Sequence, residues 1–115
     1  MQALVCGGRE FTDAEFIYSE LDRLHSQYEF DTIIEGDARG VDRIAGDWTR
    51  ARGLELISYP AHWKTEGRHA ALIRNERMLR DGKPDLVIAF PGGAGTSHTC
   101  WQAEKLEIPV LRVSR

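Results

Sequence analysis

Asp85-Leu86-Val87-Ile88-Ala89-Phe90-Pro91-Gly92-Gly93-Ala94-Gly95-Thr96 is the stretch on which the fold turns. A continuous apolar run stops at a proline, a glycine-rich turn follows, and a helical pattern then begins. A run that is apolar at successive positions has no polar face, so it suits a strand covered on both sides, as in a parallel sheet. A glycine turn feeding directly into a helix gathers free N–H groups with the helix dipole behind them, which favours an anion. Thr96 is expected to cap this helix, which should run to about Leu106.

Four more apolar runs recur at similar intervals, Gln2–Cys6, Asp31–Glu35, Leu54–Tyr59 and Pro109–Val113. Helical patterns fill the gaps. Thr12 is expected to cap a helix with Glu15 completing a capping box, and Phe11 and Phe16 are placed for a hydrophobic staple. Ile17, Leu21, Leu24 and Tyr28 continue that helix as one apolar stripe. Val41, Ile44, Trp48 and Ala51 form a second stripe, ended by Gly53. A third helix is expected from Gly67 to about Leu79, stopping near Gly82 and before Pro84. Strand–helix alternation with short links predicts right-handed crossovers and an α/β fold: a single Rossmann-like three-layer sandwich around a five-stranded parallel sheet, one domain over residues 1–115. The longest irregular stretch, Pro60–Glu66, carries His62, Trp63 and Lys64 and invites a functional reading.

At 115 residues, 42% hydrophobic and 29% charged, the chain can bury a core without staples and is not of disordered composition. Its formal charge of −3 argues against broad nucleic-acid binding, which needs a basic surface. A local cationic pocket is compatible with that sum. The two cysteines, Cys6 and Cys100, do not make a disulfide framework and are expected as free thiols. Neither a signal segment nor a membrane-spanning run is evident, so a cytoplasmic protein is expected. His62, His69, His98 and Cys100 match no standard zinc spacing, and no metal or cofactor is expected.

In an open parallel sheet the ligand sits beyond the carboxyl ends of the strands, so the residues following each strand carry the chemistry. After the first come Gly7-Gly8-Arg9: glycines that admit a ligand to the backbone, and a guanidinium suited to phosphate or carboxylate. After the second comes Gly36-Asp37-Ala38-Arg39-Gly40-Val41-Asp42, a turn entering a helix, where Asp37 or Asp42 is available to cap the helix or to hold ribose hydroxyls. After the fourth comes the cradle of Pro91, Gly92, Gly93, Gly95 and Thr96. The dinucleotide fingerprint is missing, and so is the lysine of a nucleotide-triphosphate loop. On the third helix, Arg74 and Asn75 need not face water if Leu72 and Leu79 face the sheet.

These motifs together resemble the SLOG superfamily of Rossmann-like proteins. Pro91 to Thr96 is similar to the signature of the LOG phosphoribohydrolases. Gly36 to Asp42 is similar to a loop of the DNA-processing protein DprA. The whole set, with Ala61-His62-Trp63, Gly67-Arg68 and Arg74-Asn75, most resembles the small YspA-like, YpsA-related members. The resemblance implies a site for a nucleotide or nucleotide-derived ligand. The LOG signature continues to a catalytic Glu, whose place is taken here by Thr99, and Ala71-Leu72 stand where YspA-like chains are expected to carry Gly-Pro.

Three readings follow. The first is a ligand-binding or sensor protein, with phosphate on the amides of Gly92 to Thr96, Arg74 and Arg9 or Arg39 neutralising it, and Trp63 stacking on the base. The second is a nucleotide N-glycosidase, with Arg74, Glu35 and Asp37 as candidates for the catalytic groups. The third is a DNA-associated protein that keeps the fold without the ligand. A homo-oligomer, dimer or tetramer, is expected with contacts at Trp101 and His98 or at Trp48.

Overall fold

A computed structural model describes residues 1–115. Five parallel strands, β1 (Gln2–Cys6), β2 (Thr32–Glu35), β3 (Glu55–Ser58), β4 (Leu86–Ala89) and β5 (Val110–Arg112), form one sheet in the order β3-β2-β1-β4-β5. The expected Rossmann-like α/β layout is therefore the observed one. Leu4 pairs with Ile34 on one side and with Val87 on the other, so β1 is the central strand.

The strands alternate between two cores because successive side chains point to opposite faces. Ala3, Val5, Ile33 and Ile88 pack with Ile17, Leu21 and Leu24 of α1 (Ala14–Tyr28) and with Val41, Ala45 and Trp48 of α2 (Val41–Ala51). Leu4, Cys6, Ile34 and Val87 face the opposite layer, Met78 and Leu79 of α4 (Ala70–Gly82) and Cys100 and Ala103 of α5 (Ala94–Lys105). Burial on both faces explains why the runs are continuous rather than alternating. The chain adds β2 and β3 to one side of β1 and then returns to add β4 and β5 to the other. The β1–β4 boundary is thus the point where strand order reverses, and an open α/β sheet holds its ligand in the crevice there.

Several local expectations are corrected. Asp13, not Thr12, caps α1: its Oδ1 accepts from Phe16 N at 3.2 Å, one residue later in frame than a Thr12–Glu15 box requires. A carboxylate also complements the helix dipole, which a hydroxyl does not. Phe11 still meets Phe16, their ring centroids 6.0 Å apart, and both pack against Phe90, Phe16 edge-to-face and Phe11 at a tilt. Pro60–Glu66 is not wholly irregular, since Trp63–Glu66 form a one-turn helix, α3. Residues Gly67–His69 are a 3₁₀ turn, so the regular third helix starts at Ala70. Helix α5 starts at Ala94, two residues before Thr96, and Gly93 is its cap with no side-chain hydrogen bond. Trp48 is fully buried and donates from Nε1 to Asp22 at 2.9 Å, so it is not available to a subunit contact. No helix is long and apolar enough to cross a membrane.

Candidate functional site

A cleft of about 440 Å³ opens over the carboxyl ends of β1 and β4. Gly7, Gly8 and Arg9 form one wall and Gly93, Gly95 and Thr96 another; Ala38 and Asp42 come from the β2–α2 connection, Arg74 and Asn75 from α4. A second cavity of about 290 Å³ shares Arg9, Ala38 and Arg74 with it and adds Gly36, Asp37, Arg39, Ala61 and Trp63. Loops far apart in sequence meet here because the strand order reverses beneath them. Gly8 N donates to Pro91 O at 2.8 Å, which ties the first glycine loop to the last.

Two glycines have steric reasons to be glycine. Gly40 sits at φ 81, and a Cβ there would lie 2.6 Å from the carbonyl oxygen of Arg9. A Cβ on Gly36 would lie 2.5 Å from Arg74 Nη1 and 2.9 Å from Asp42 Oδ2. Gly93 and Gly95 differ: φ is not positive at either, and a Cβ would meet nothing within 4 Å. Folding gives no reason for glycine at these two positions, and both face the cleft. Gly95 even weakens the first turn of α5 relative to alanine.

Arg74 is buried and held on three sides. Nε donates to Asn75 Oδ1 at 2.9 Å, and Nη1 donates to Gly36 O and, at 3.4 Å, to Tyr59 O. Nη2 has no protein acceptor. Eight of the other arginines, Arg23, Arg39, Arg43, Arg50, Arg52, Arg77, Arg112 and Arg115, have a carboxylate partner. Arg9, Arg68, Arg74 and Arg80 have none, and the first three line the same cleft. Opposite them, the N–H groups of Ala94, Gly95 and Thr96 in the first turn of α5 find no acceptor in the protein. Three guanidinium groups and a bare helix N-terminus therefore face one space, which suits a phosphate.

The carboxyl groups are set deeper. Asp42 accepts from Ala38 N at 3.3 Å, and burial, partly offset by that hydrogen bond and by the Arg74 charge, pushes its carboxyl up to about 7. Glu35 lies beneath the site, accepts from Asp37 N at 2.7 Å and from the Ser58 hydroxyl, and is also raised by burial. Burial lowers Arg74 from the usual guanidinium value. Thr99 lines the cleft, its hydroxyl donating to Gly95 O at 3.2 Å. Trp63 is half exposed, with the Arg9 guanidinium 5.7 Å from its ring centroid.

Of the residues expected from sequence, Gly7, Gly8, Arg9, Ala38, Asp42, Arg74, Asn75, Gly93, Gly95 and Thr96 meet in the larger cleft, and Gly36, Asp37, Arg39 and Trp63 in the smaller. Four are placed elsewhere. Gly40 packs beneath the Gly8–Arg9 backbone, Glu35 lies under the floor, and Pro91 and Gly92 line a separate cavity of about 210 Å³ with Cys100 and Arg112. Thr96 does not cap; its side chain turns back against Gly92 and leaves the helix N–H groups free. Cys6, Arg68, Ala71, Leu72 and Met78 line the cleft without having been singled out as ligand contacts. For Arg68 a signal existed, a cation beside Gly67 just ahead of a helix. For the apolar positions only the folded geometry reveals the role.

A parallel α/β sheet with its cleft at the reversal point and glycine loops on both sides is the architecture of a Rossmann-like ligand-binding protein. The chain belongs to the YspA, cpYpsA-related SLOG family, whose model matches residues 1–65. It is 34% identical over 118 residues to the Gene 61 protein of Mycobacterium phage D29, an alignment covering 96% of this chain and 94% of that one. Membership of this family points to binding or processing of nucleotide-related ligands.

Proposed function

We propose that this chain binds a nucleotide or nucleotide-derived phosphorylated small molecule, and that it acts as a ligand-binding or sensor protein. One observation carries the reading: Arg9, Arg68 and Arg74, all without carboxylate partners, line one cleft with the unpaired N–H groups of α5. The phosphate sits on the amides of Ala94, Gly95 and Thr96, with Arg74 Nη2 and Arg9 supplying charge-assisted hydrogen bonds. Asp42 in the larger cavity and Asp37 in the smaller are placed for ribose hydroxyls, and Trp63 offers a face to the base. A second copy docking on α5 at exposed Trp101 is part of this proposal, and sedimentation of Trp101→Ala beside the parent protein tests it. Nucleotide monophosphates, diphosphates and cyclic nucleotides should raise the melting temperature, and a broad panel without any shift overturns the reading.

A nucleotide N-glycosidase is the second reading, favoured by one feature. Thr99 removes the LOG-type carboxylate, yet Asp42 brings a carboxyl of raised pKa to the same cleft. In that reaction the C1′–N bond breaks, the departing base takes the Asp42 proton, water adds to C1′, and the proton it releases restores Asp42. The products are free base and ribose 5-phosphate. Glu35 is too deep to serve and Asp37 belongs to the neighbouring cavity. Prolonged incubation with nucleoside monophosphates that yields no free base excludes turnover and leaves the binding reading in place.

A further inference from the structure

The cluster under the cleft is unbalanced in charge. Asp42 and Glu35, 7% and 2% exposed, lie near one buried cation, Arg74. That guanidinium gives neither carboxyl a direct hydrogen bond: Nε is taken by Asn75 and Nη1 by two carbonyls. Gly36 stands between Arg74 and Asp42, and no lysine or arginine nitrogen comes within 4 Å of the Asp42 carboxylate. What stabilises its charged form is weak: a 3.3 Å hydrogen bond from Ala38 N, a lesser one from the Gly36 backbone and the nearby Arg74 charge do not offset its burial. Unlike Glu35, Asp42 is part of the cleft wall.

Resting on the phosphate-binding reading above, we propose that the site takes its anionic ligand together with one proton, which Asp42 holds while the ligand is bound. An arriving dianion adds negative charge beside Asp42 and displaces the remaining water, and both effects favour the neutral carboxyl. A neutral Asp42 then becomes a donor facing the ligand, where a carboxylate could only repel it. Burial already places the free carboxyl at about 7, so the proton is exchanged in the neutral range. The other charged or titratable groups on this side are Arg9 and Arg68, which line the same cleft, Arg74 and His98 from the α4–α5 layer, Glu35 and Asp37 from the second strand and its loop, and the Cys6–Cys100 thiols beneath.

The sign is fixed by linkage. Below about pH 7 free and bound forms both carry the proton and affinity is constant; above it binding must recover a proton, and affinity falls by about tenfold per pH unit until the bound form also ionises. Inorganic sulfate is the probe, because it stays a dianion throughout and contributes no titration of its own. In ¹⁵N-labelled protein at constant ionic strength, sulfate should move the amide resonances of Gly93 and Gly95. Its Kd should rise at least about tenfold between about pH 6 and pH 8.5. Asp42→Asn should bind with a nearly flat pH profile, while His98→Gln and Cys100→Ser keep the slope. A flat profile in the unaltered protein, or the same slope in Asp42→Asn, overturns the proposal and leaves the anion site standing. If sulfate moves neither glycine at any pH, the anion site itself falls. Calorimetry of the unaltered protein in buffers of differing ionisation heat reads the proton directly, and zero uptake at about pH 8 refutes the idea without any variant.

Discussion

Gly36 separates Arg74 from Asp42, with room for a hydrogen and not for a methyl group: a Cβ there would stand 2.5 Å from Nη1 of one and 2.9 Å from Oδ2 of the other. Gly36→Ala must therefore push apart a buried cation and a buried acid. Overpacking of this kind costs about 1–3 kcal/mol. Urea denaturation should show that loss, and nucleotide affinity should fall with it as Arg74 is displaced. An alanine variant of parental stability and affinity contradicts the geometry.

Arg74 serves the fold as well as the cleft, since it satisfies the carbonyls of Gly36 and Tyr59 and the amide oxygen of Asn75. Arg74→Met keeps much of the volume and leaves those acceptors unpaired, at about 1–3 kcal/mol for a buried polar group. Arg74→Lys restores a charge without the planar fork, so it should recover part of the stability and little of the binding. Equal recovery of both, by denaturation and titration, rules out a bidentate role.

Gly93 and Gly95 are predicted to separate stability from function. Gly95→Ala should stabilise the protein by roughly 0.5–1 kcal/mol, because a helical glycine is replaced where a methyl group meets nothing. The same methyl group intrudes on a ligand resting against the backbone, so affinity should drop about tenfold or more, a difference near 1.4 kcal/mol. Gly93→Val should likewise lose nucleotide binding. Intact affinity in both variants removes the case for a backbone cradle at α5.

The pH dependence of stability follows from Asp42, whose carboxyl is raised from 3.8 to about 7 in the folded chain. Below about pH 4 the group is neutral in both states and its contribution is fully present. As pH rises, the unfolded chain releases the proton while the folded chain keeps it, so stability declines until about pH 7, by on the order of 4 kcal/mol. Asp42→Asn retains an oxygen acceptor for Ala38 N and should flatten that decline. Urea midpoints at about pH 5 and pH 8 measure it; a decline of unchanged size in the variant places its origin in other groups, Glu35 first.

The layout was readable from sequence because the three inner strands, β1, β2 and β4, are buried on both faces and appear as nearly unbroken apolar runs, whereas the edge strands β3 and β5 are only partly buried. The runs at Gln2–Cys6 and Asp85–Phe90, each followed by glycines, marked two strand ends as ligand-facing, while the strand order that sets them side by side is visible only in the fold. Helix starts were less legible. Asp13 and Thr12 are both competent caps, and neighbouring packing at Phe11 and Phe16 chooses the frame. Thr96 resembles a cap in one dimension, yet Gly93 serves as one without a side chain. Burial decided the rest. Arg74 and Asn75 sit in a helix that reads as charged, and only the folded chain shows them turned inward while Arg77 pairs with Glu66. Arg68 stood in the Gly67-Arg68 motif, but its place as a cleft cation emerges only when the turn before α4 folds against the first loop.

The bond from Gly8 to Pro91, with Gly40 wedged under the Gly8–Arg9 backbone, makes three crossovers a single interlocked base on one side of the cleft. The facing rim, α3 and the turn after it, contains no buried residue. Diversification is therefore lopsided: the phosphate seat resists change because altering one loop disturbs the other two, whereas residues 63–69 can be exchanged with little effect on the sheet. New ligand preferences in proteins of this build should arise by rewriting that short rim, which is also where directed evolution of the pocket would best begin.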